Sequence, residues 1–237
     1  MSKYFLFFSL IANVFFLFAI VYGVQRLGGV QYAWYRLRHS EAGLYEHRKQ
    51  LFEQMPVAPG AIIFLGDSQT EQCEWREWLQ WDSNLAVLNR GITADHTAGI
   101  QARLPEVLRH RPSKIYLMVG INDLLFGGSP AETARRYRAL VQTIRRESPA
   151  TILVIQTLPP VNNTLKKMSV SNTEIQSLNT ELIALAHEYA LPLVDLYVPL
   201  CDYAGNLSKK FTEDGLHLNA EGYRVWKQAV KVAKNTK

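Results

Sequence analysis

A three-layer α/β domain built on a parallel sheet of about five strands is the fold this sequence predicts, and two observations carry it. Five short apolar runs recur along the chain: AIIFL (61–65), LAVLN (85–89), KIYLMV (114–119), TILVIQ (151–156) and LPLVDL (191–196). Segments of helical length and amphipathic period lie between them, near 70–80, 98–110, 131–147 and 172–190, with a last one at 219–234. Runs that are apolar on both faces belong in a sheet covered on both sides, and connections of this length suit right-handed crossover helices.

Taken in order, the first element lies outside that domain. YFLFFSLIANVFFLFAIVYGV, Tyr4 to Val24, carries no charge. As a helix it spans about 30 Å, the thickness of bilayer hydrocarbon. The run exceeds the apolar stretch of a signal peptide and no small-x-small cleavage site follows it, so residues 1–25 are read as a retained transmembrane helix, a single-pass membrane anchor. Lys3 precedes the span while Arg26, Arg36 and Arg38 follow it, which leaves the topology open; the domain that follows is expected on the periplasmic or extracellular side. Residues 26–56 mix Tyr32, Tyr35, Leu37, Leu44, Leu51 and Phe52 with many charges, the pattern of a helical stalk or membrane-surface helix. Pro56 and Ala58-Pro59-Gly60 then punctuate the chain and open a domain at 57–237.

Composition narrows the function classes. With 237 residues, 48% hydrophobic and 20% charged, the chain can bury one sizeable core. A net charge of +5 with no zinc-finger spacing and no RNA-binding signature argues against a nucleic-acid partner. The densest basic stretch, Arg135, Arg136, Arg138, Arg145 and Arg146, has helical period and reads as a solvated face. Cys73 and Cys201 fit no metal pattern; pairing and two plain buried thiols are both open, with thiols preferred.

In parallel sheets ligands bind beyond the carboxyl ends of the strands, so the polar residues that follow each run are the candidates. Gly66, Asp67 and Ser68 follow the first run; Asn89, Arg90 and Gly91 the second; Gly120, Asn122 and Asp123 the third; and Asp214 and His217 stand in a loop before the last helix. A serine hydroxyl becomes a nucleophile when a base takes its proton, and an imidazole needs a carboxylate to fix its tautomer. Ser68, His217 and Asp214 supply those three roles. The backbone at Gly91, the Asn122 amide and the Ser68 N–H are candidate donors to a developing oxyanion. Asp67 and Asp123 read as structural support that holds turns, and His96 as loop structure or pocket lining.

These blocks carry a resemblance. GDSQT (66–70), NRGI (89–92), GIND (120–123) and DGLHLN (214–219) resemble the four sequence blocks of the SGNH, or GDSL-type, hydrolases, in order and over roughly residues 60 to 235. QTLPPVNN (156–163) and HLNAEGYRVW (217–226) are similar to the branch that holds platelet-activating-factor acetylhydrolase subunits and bacterial carbohydrate or lysophospholipid esterases. The resemblance implies a flavodoxin-like fold, no metal and no cofactor. By position it makes Ser68 the nucleophile, Gly91 and Asn122 oxyanion-hole donors, and His217 with Asp214 the rest of a triad. The implied activity is hydrolysis of a small-molecule, glycan or lipid ester, read as release of a short acyl group such as acetyl from an oxygen ester of a carbohydrate or lipid, with lysophospholipase, thioesterase or acyltransferase chemistry as the alternative on the same residues. Gln69 stands where many members carry Leu or Ile, which leaves the acyl-pocket shape open.

Two other classes compete. Asp67, Asn122, Asp123 and His217 contain plausible ligands for a two-metal phosphatase, though such a centre draws on several histidines and the strand ends offer one. A membrane-tethered binding protein that has lost its chemistry is the other, since a fold does not fix a function.

Overall fold

The computed structural model describes residues 41–79 and 85–235, with scattered helical positions between Phe8 and Tyr22. The chain divides into two compact units, Met1–Glu46 and His47–Lys237. Among the described residues no helix is long and apolar enough to cross a membrane; apart from those scattered positions, the 4–24 run read as an anchor lies outside the described residues. Residues 25–40 of the expected stalk lie outside them too. The part of that segment from residue 41 forms a helix, α1 (Glu41–Gln54), and from His47 it belongs to the second unit.

The second unit carries a five-stranded, all-parallel sheet: β1 (Ile62–Gly66), β2 (Val87–Gly91), β3 (Lys114–Met118), β4 (Ile152–Gln156) and β5 (Leu193–Val194), in the spatial order β2-β1-β3-β4-β5. Every run named from sequence contributes a strand. Two shift at the sheet edges, where each strand has a single neighbour: β2 starts two residues later than its apolar run, and β5 shrinks to the two residues that pair with Ile155 and Gln156.

The long crossovers α4 (Thr97–Leu108), α6 (Pro130–Glu147) and α7 (Asn172–Glu188) follow one another in contact. All three return the chain in the same direction across the sheet, which for right-handed connections places them on one face. The opposite face is an aromatic layer. Phe64 of β1 stacks on Trp75 at 4.0 Å and on Tyr116 of β3 at 4.7 Å. Trp75 begins α3 (Trp75–Leu79) and meets Trp226 edge-on at 4.8 Å; Trp226 belongs to the last helix, α9 (Ala220–Asn235). Trp75 and Trp226 are among the largest fully buried side chains, each satisfying its indole N–H, on Thr70 O and Gln156 Oε1 respectively.

The order in which strands are added to the sheet reverses between the neighbouring strands β1 and β3: β2 joins outside β1, while β3, β4 and β5 follow on the other side. In an open α/β sheet that reversal opens a crevice at the carboxyl edge. Gly66 pairs with Gly91 on one side and with Met118 on the other, so the loops leaving β1, β2 and β3 rise from one level.

Candidate active site

Ser68 begins α2 (Ser68–Glu71), a single helical turn capped by Asp67, whose Oδ1 accepts from Gln69 N–H at 3.0 Å. The turn is held from three sides. Asn89 Nδ2 faces the carbonyls of Thr70, Glu71 and Cys73 at 2.9–3.0 Å, and the Tyr223 hydroxyl of α9 donates to Gln69 O at 2.7 Å. Gly91 provides the third contact, because a Cβ there would lie 2.2 Å from Glu71 N and 2.6 Å from Glu71 Cα. Only a glycine lets β2 approach α2 so closely.

From that turn a continuous relay runs to the far loop. Ser68 Oγ lies 3.0 Å from His217 Nε2, and His217 Nδ1 lies 2.7 Å from Asp214 Oδ2. Asp214 is ionised: burial opposes its charge, but hydrogen bonds from the His217 ring and from the N–H groups of Leu216 and His217 outweigh that and hold its pKa at about 2. A carboxylate only accepts, so Nδ1 carries the proton and Nε2 presents its lone pair to the serine hydroxyl. The loop owes its shape to Gly215, at φ +83°, with Asn162 O 2.6 Å from where a Cβ would stand; Asn162 N–H donates back to Gly215 O at 2.7 Å.

Asn122 lies in α5 (Ile121–Leu125), directly after β3, and is buried. One hydrogen of its amide goes to Asp95 O at 2.8 Å, which leaves the second available. Asp123 accepts from Thr97 N–H at 3.0 Å and from its hydroxyl at 2.5 Å, tying α5 to the start of α4, while His96 caps α4 through Nδ1.

Gly91 does not hold the place expected for it. Its N–H donates to Asn89 Oδ1 at 2.9 Å and is spent inside the loop, so its function is the close approach of β2 to α2. A different residue of the same loop has the free donor: Ala94, half-buried, sits at φ +62°, and its N–H has no partner among the described residues. That conformation disfavours any residue with a Cβ, so the loop must be held in it.

The holding residue, also missed from sequence, is Arg103 of α4, which is buried. Its Nε donates to Asp95 Oδ2 at 2.7 Å and its Nη2 to Gly66 O at 3.1 Å and Arg90 O at 2.8 Å, clamping the ends of β1 and β2 to the residue after Ala94. Asp67, Asp95 and Asp123 bring three acidic groups together under the site. Burial, with Asp95 and Asp123 adding to it, lifts Asp67 to about 7 against the Gln69 N–H, and Asp67 Oδ2 is without a hydrogen-bond partner. Both cysteines are free thiols, Cys73 buried and Cys201 half-buried. Among the described residues no three His, Cys, Asp or Glu side chains group as metal ligands, and two of the four side chains a two-metal reading draws on are bonded elsewhere: His217 to Ser68 and Asp214, Asp123 to Thr97.

Residues 64–225 match the GDSL-like lipase/acylhydrolase family. The chain belongs to this family. It is 25% identical over 174 residues to the thioesterase 1/protease 1/lysophospholipase L1 of Escherichia coli K12, covering 70% of this chain and 78% of that one. A Streptococcus agalactiae serotype V N-acylneuraminate cytidylyltransferase is 24% identical over 187 residues, 79% of this chain, but the match spans only 41% of that protein's length. Among solved structures, a Streptococcus pneumoniae chain described as a platelet activating factor superposes with a TM-score of 0.74 at 27% identity, covering 83% of this chain and 95% of that one. The family is one of lipases and acylhydrolases.

Proposed function

We propose that this acylhydrolase removes a short acyl group, such as acetyl, from an oxygen ester on a carbohydrate or lipid, through an acyl-enzyme on Ser68. The observation that carries the reading is the unbroken relay Ser68–His217–Asp214, at 3.0 and 2.7 Å. His217 Nε2 takes the Ser68 proton as Oγ attacks the ester carbonyl; the carbonyl oxygen becomes the oxyanion. The protonated imidazole, stabilised by Asp214, then gives its proton to the departing alkoxide, leaving the acyl group on Ser68. Water deprotonated by the same imidazole attacks the acyl carbonyl, the bond to Ser68 Oγ breaks as the imidazolium returns the proton to that oxygen, and the acid is freed.

The oxyanion donors in this account are the second Asn122 amide hydrogen, the Ala94 N–H and the Ser68 N–H. Each such donor is worth about 3 kcal/mol in the transition state. Ala94 replaces Gly91 because the Gly91 N–H is already engaged and the Ala94 N–H is not.

The short-acyl reading rests on the 162–170 segment. It is pinned to the His217 loop through Asn162 and to the end of α5 through Ser169 Oγ on Leu125 O at 2.8 Å, and it is stapled internally by Asn163. We take this pinned segment as the wall of the acyl pocket, and a pinned wall resists opening for a long chain. The lysophospholipase and thioesterase names of the Escherichia coli relative, with Phe126 exposed at the end of α5, favour the second reading, a longer acyl group.

Hydrolysis of p-nitrophenyl esters from acetate to palmitate by the full chain in detergent, beside Ser68→Ala, tests both. The account expects acetate to be the best substrate and the substitution to lower kcat by a factor on the order of 10³ or more. Preference for palmitate selects the second reading, and a Ser68→Ala variant with half the wild-type rate refutes the mechanism.

A further inference from the structure

The helix that precedes the family-matched region reaches the loop on which the oxyanion hole is proposed to depend. The match begins at residue 64, whereas Arg48 lies in the part of α1 that belongs to the same compact unit as the sheet. Its Nε lies 2.7 Å from Glu71 Oε1 and donates to Gly91 O at 3.0 Å. Glu71 is the last residue of the turn that begins with Ser68, and its other oxygen, Oε2, accepts from Thr93 N–H at 2.5 Å and from the Thr93 hydroxyl at 2.6 Å. One guanidinium therefore holds the carbonyl of Gly91 directly and Thr93 through one carboxylate, so both are tied in place just before the strained Ala94.

Arg48 is itself anchored. Its guanidinium lies against the Phe52 ring at 5.0 Å, with Arg90 against the same ring at 4.5 Å, and Phe52 is buried. The carboxyl end of α1 is capped by Arg109, whose Nη2 donates to Phe52 O at 2.7 Å and Met55 O at 2.8 Å. The chain that follows is fixed by Ala58 N–H donating to His110 Nδ1 at 2.9 Å. From His47 onward α1 is part of the hydrolase unit, and its one arginine aimed at the site meets groups on α2, β2 and the loop after β2.

We propose that Arg48 is a positioning residue for the ester-hydrolysis reaction, holding the 91–94 loop through Gly91 O and Glu71 so that the Ala94 N–H points at the developing oxyanion. This rests on the oxyanion assignment above. A positioning loss should act on the transition state more than on substrate binding, so it lowers kcat and leaves KM near its starting value. Because Arg48 and Glu71 act on one loop as a unit, their losses should not multiply.

The test is kcat and KM for p-nitrophenyl acetate on the full chain, comparing wild type, Arg48→Ala, Glu71→Ala and the double variant, with Ser68→Ala alongside. The expected result is a fall in kcat on the order of tenfold in each single variant, KM within about twofold, and a double variant no slower than the slower single. A kcat for Arg48→Ala within about twofold of wild type overturns the proposal, and so do losses that multiply in the double variant. Should Arg48→Ala not fold, Arg48→Lys carries the test: an ammonium cannot reproduce the guanidinium geometry, so kcat should fall several-fold, and an unchanged kcat overturns the proposal. Wild type without Ser68-dependent turnover overturns the functional reading and this inference with it, a result distinct from active enzyme that ignores Arg48.

Discussion

Asp67 stands one residue before the proposed nucleophile, fully buried, with one oxygen on Gln69 N–H and the other unpartnered. Its pKa of about 7 lies far above the ordinary 3.8, chiefly through burial. The proton is therefore bound more tightly in the folded state, and the stability this contributes is fully present below about pH 4 and lost as pH rises through about 7. Asp67→Asn keeps an acceptor for Gln69 and cannot ionise. Between pH 5 and pH 8, the unfolding free energy of the wild type from urea titration should fall by more than that of Asp67→Asn, the difference being on the order of 1 kcal/mol or more. Equal falls in both proteins would show that Asp67 does not carry that charge.

At this scale the relay was legible because its chemistry is local: Asp214 and His217 are three residues apart in one loop, and Ser68 follows a strand end. Gly91 misled because a glycine beside a strand end marks a close approach without naming what approaches; here it is the backbone of α2. Ala94 and Arg103 left no signal. A non-glycine residue at positive φ cannot be read from a single sequence, and a buried arginine in an amphipathic helix looks like any charge on its solvated face until its acceptors, Gly66 O, Arg90 O and Asp95, are seen.

Among the elements, the strands were readable because their runs are apolar on both faces, and an end moved by more than one residue only where a strand has a single neighbour to fix it. α1 shows the opposite case. Its mixture of charges and aromatics matches a stalk, and only the fold brings Arg48, Phe52 and Arg109 onto groups distant in sequence. The contact between β2 and α2 is the element-level feature most exposed to a single substitution. Gly91→Ala would place a methyl group against Glu71 backbone, which cannot rotate away, so strand and turn must separate. The expected cost is about 1–3 kcal/mol in stability, with at least tenfold lower ester hydrolysis as Ser68 shifts from His217. Thermal midpoints and initial rates check this, and a variant that is both as stable and as active as wild type would contradict the packing described.

For the molecule as a whole, four separate stretches of chain meet at one edge of the sheet: the turn after β1, the loop after β2, the loop after β3, and the loop before α9. The relay exists only because α9 is docked over α3 by Trp75, Tyr223 and Trp226, while the Tyr223 hydroxyl reaches Gln69 O beside the serine. This convergence is what is proposed to make Ser68 a nucleophile. Intact-mass measurement after exposure of the full chain to a fluorophosphonate tests it most directly. The account predicts a single adduct on wild type, mapped by peptide fragmentation to Ser68, and none on Ser68→Ala. A folded wild-type protein that gains no adduct, or one whose adduct persists in Ser68→Ala, would contradict it.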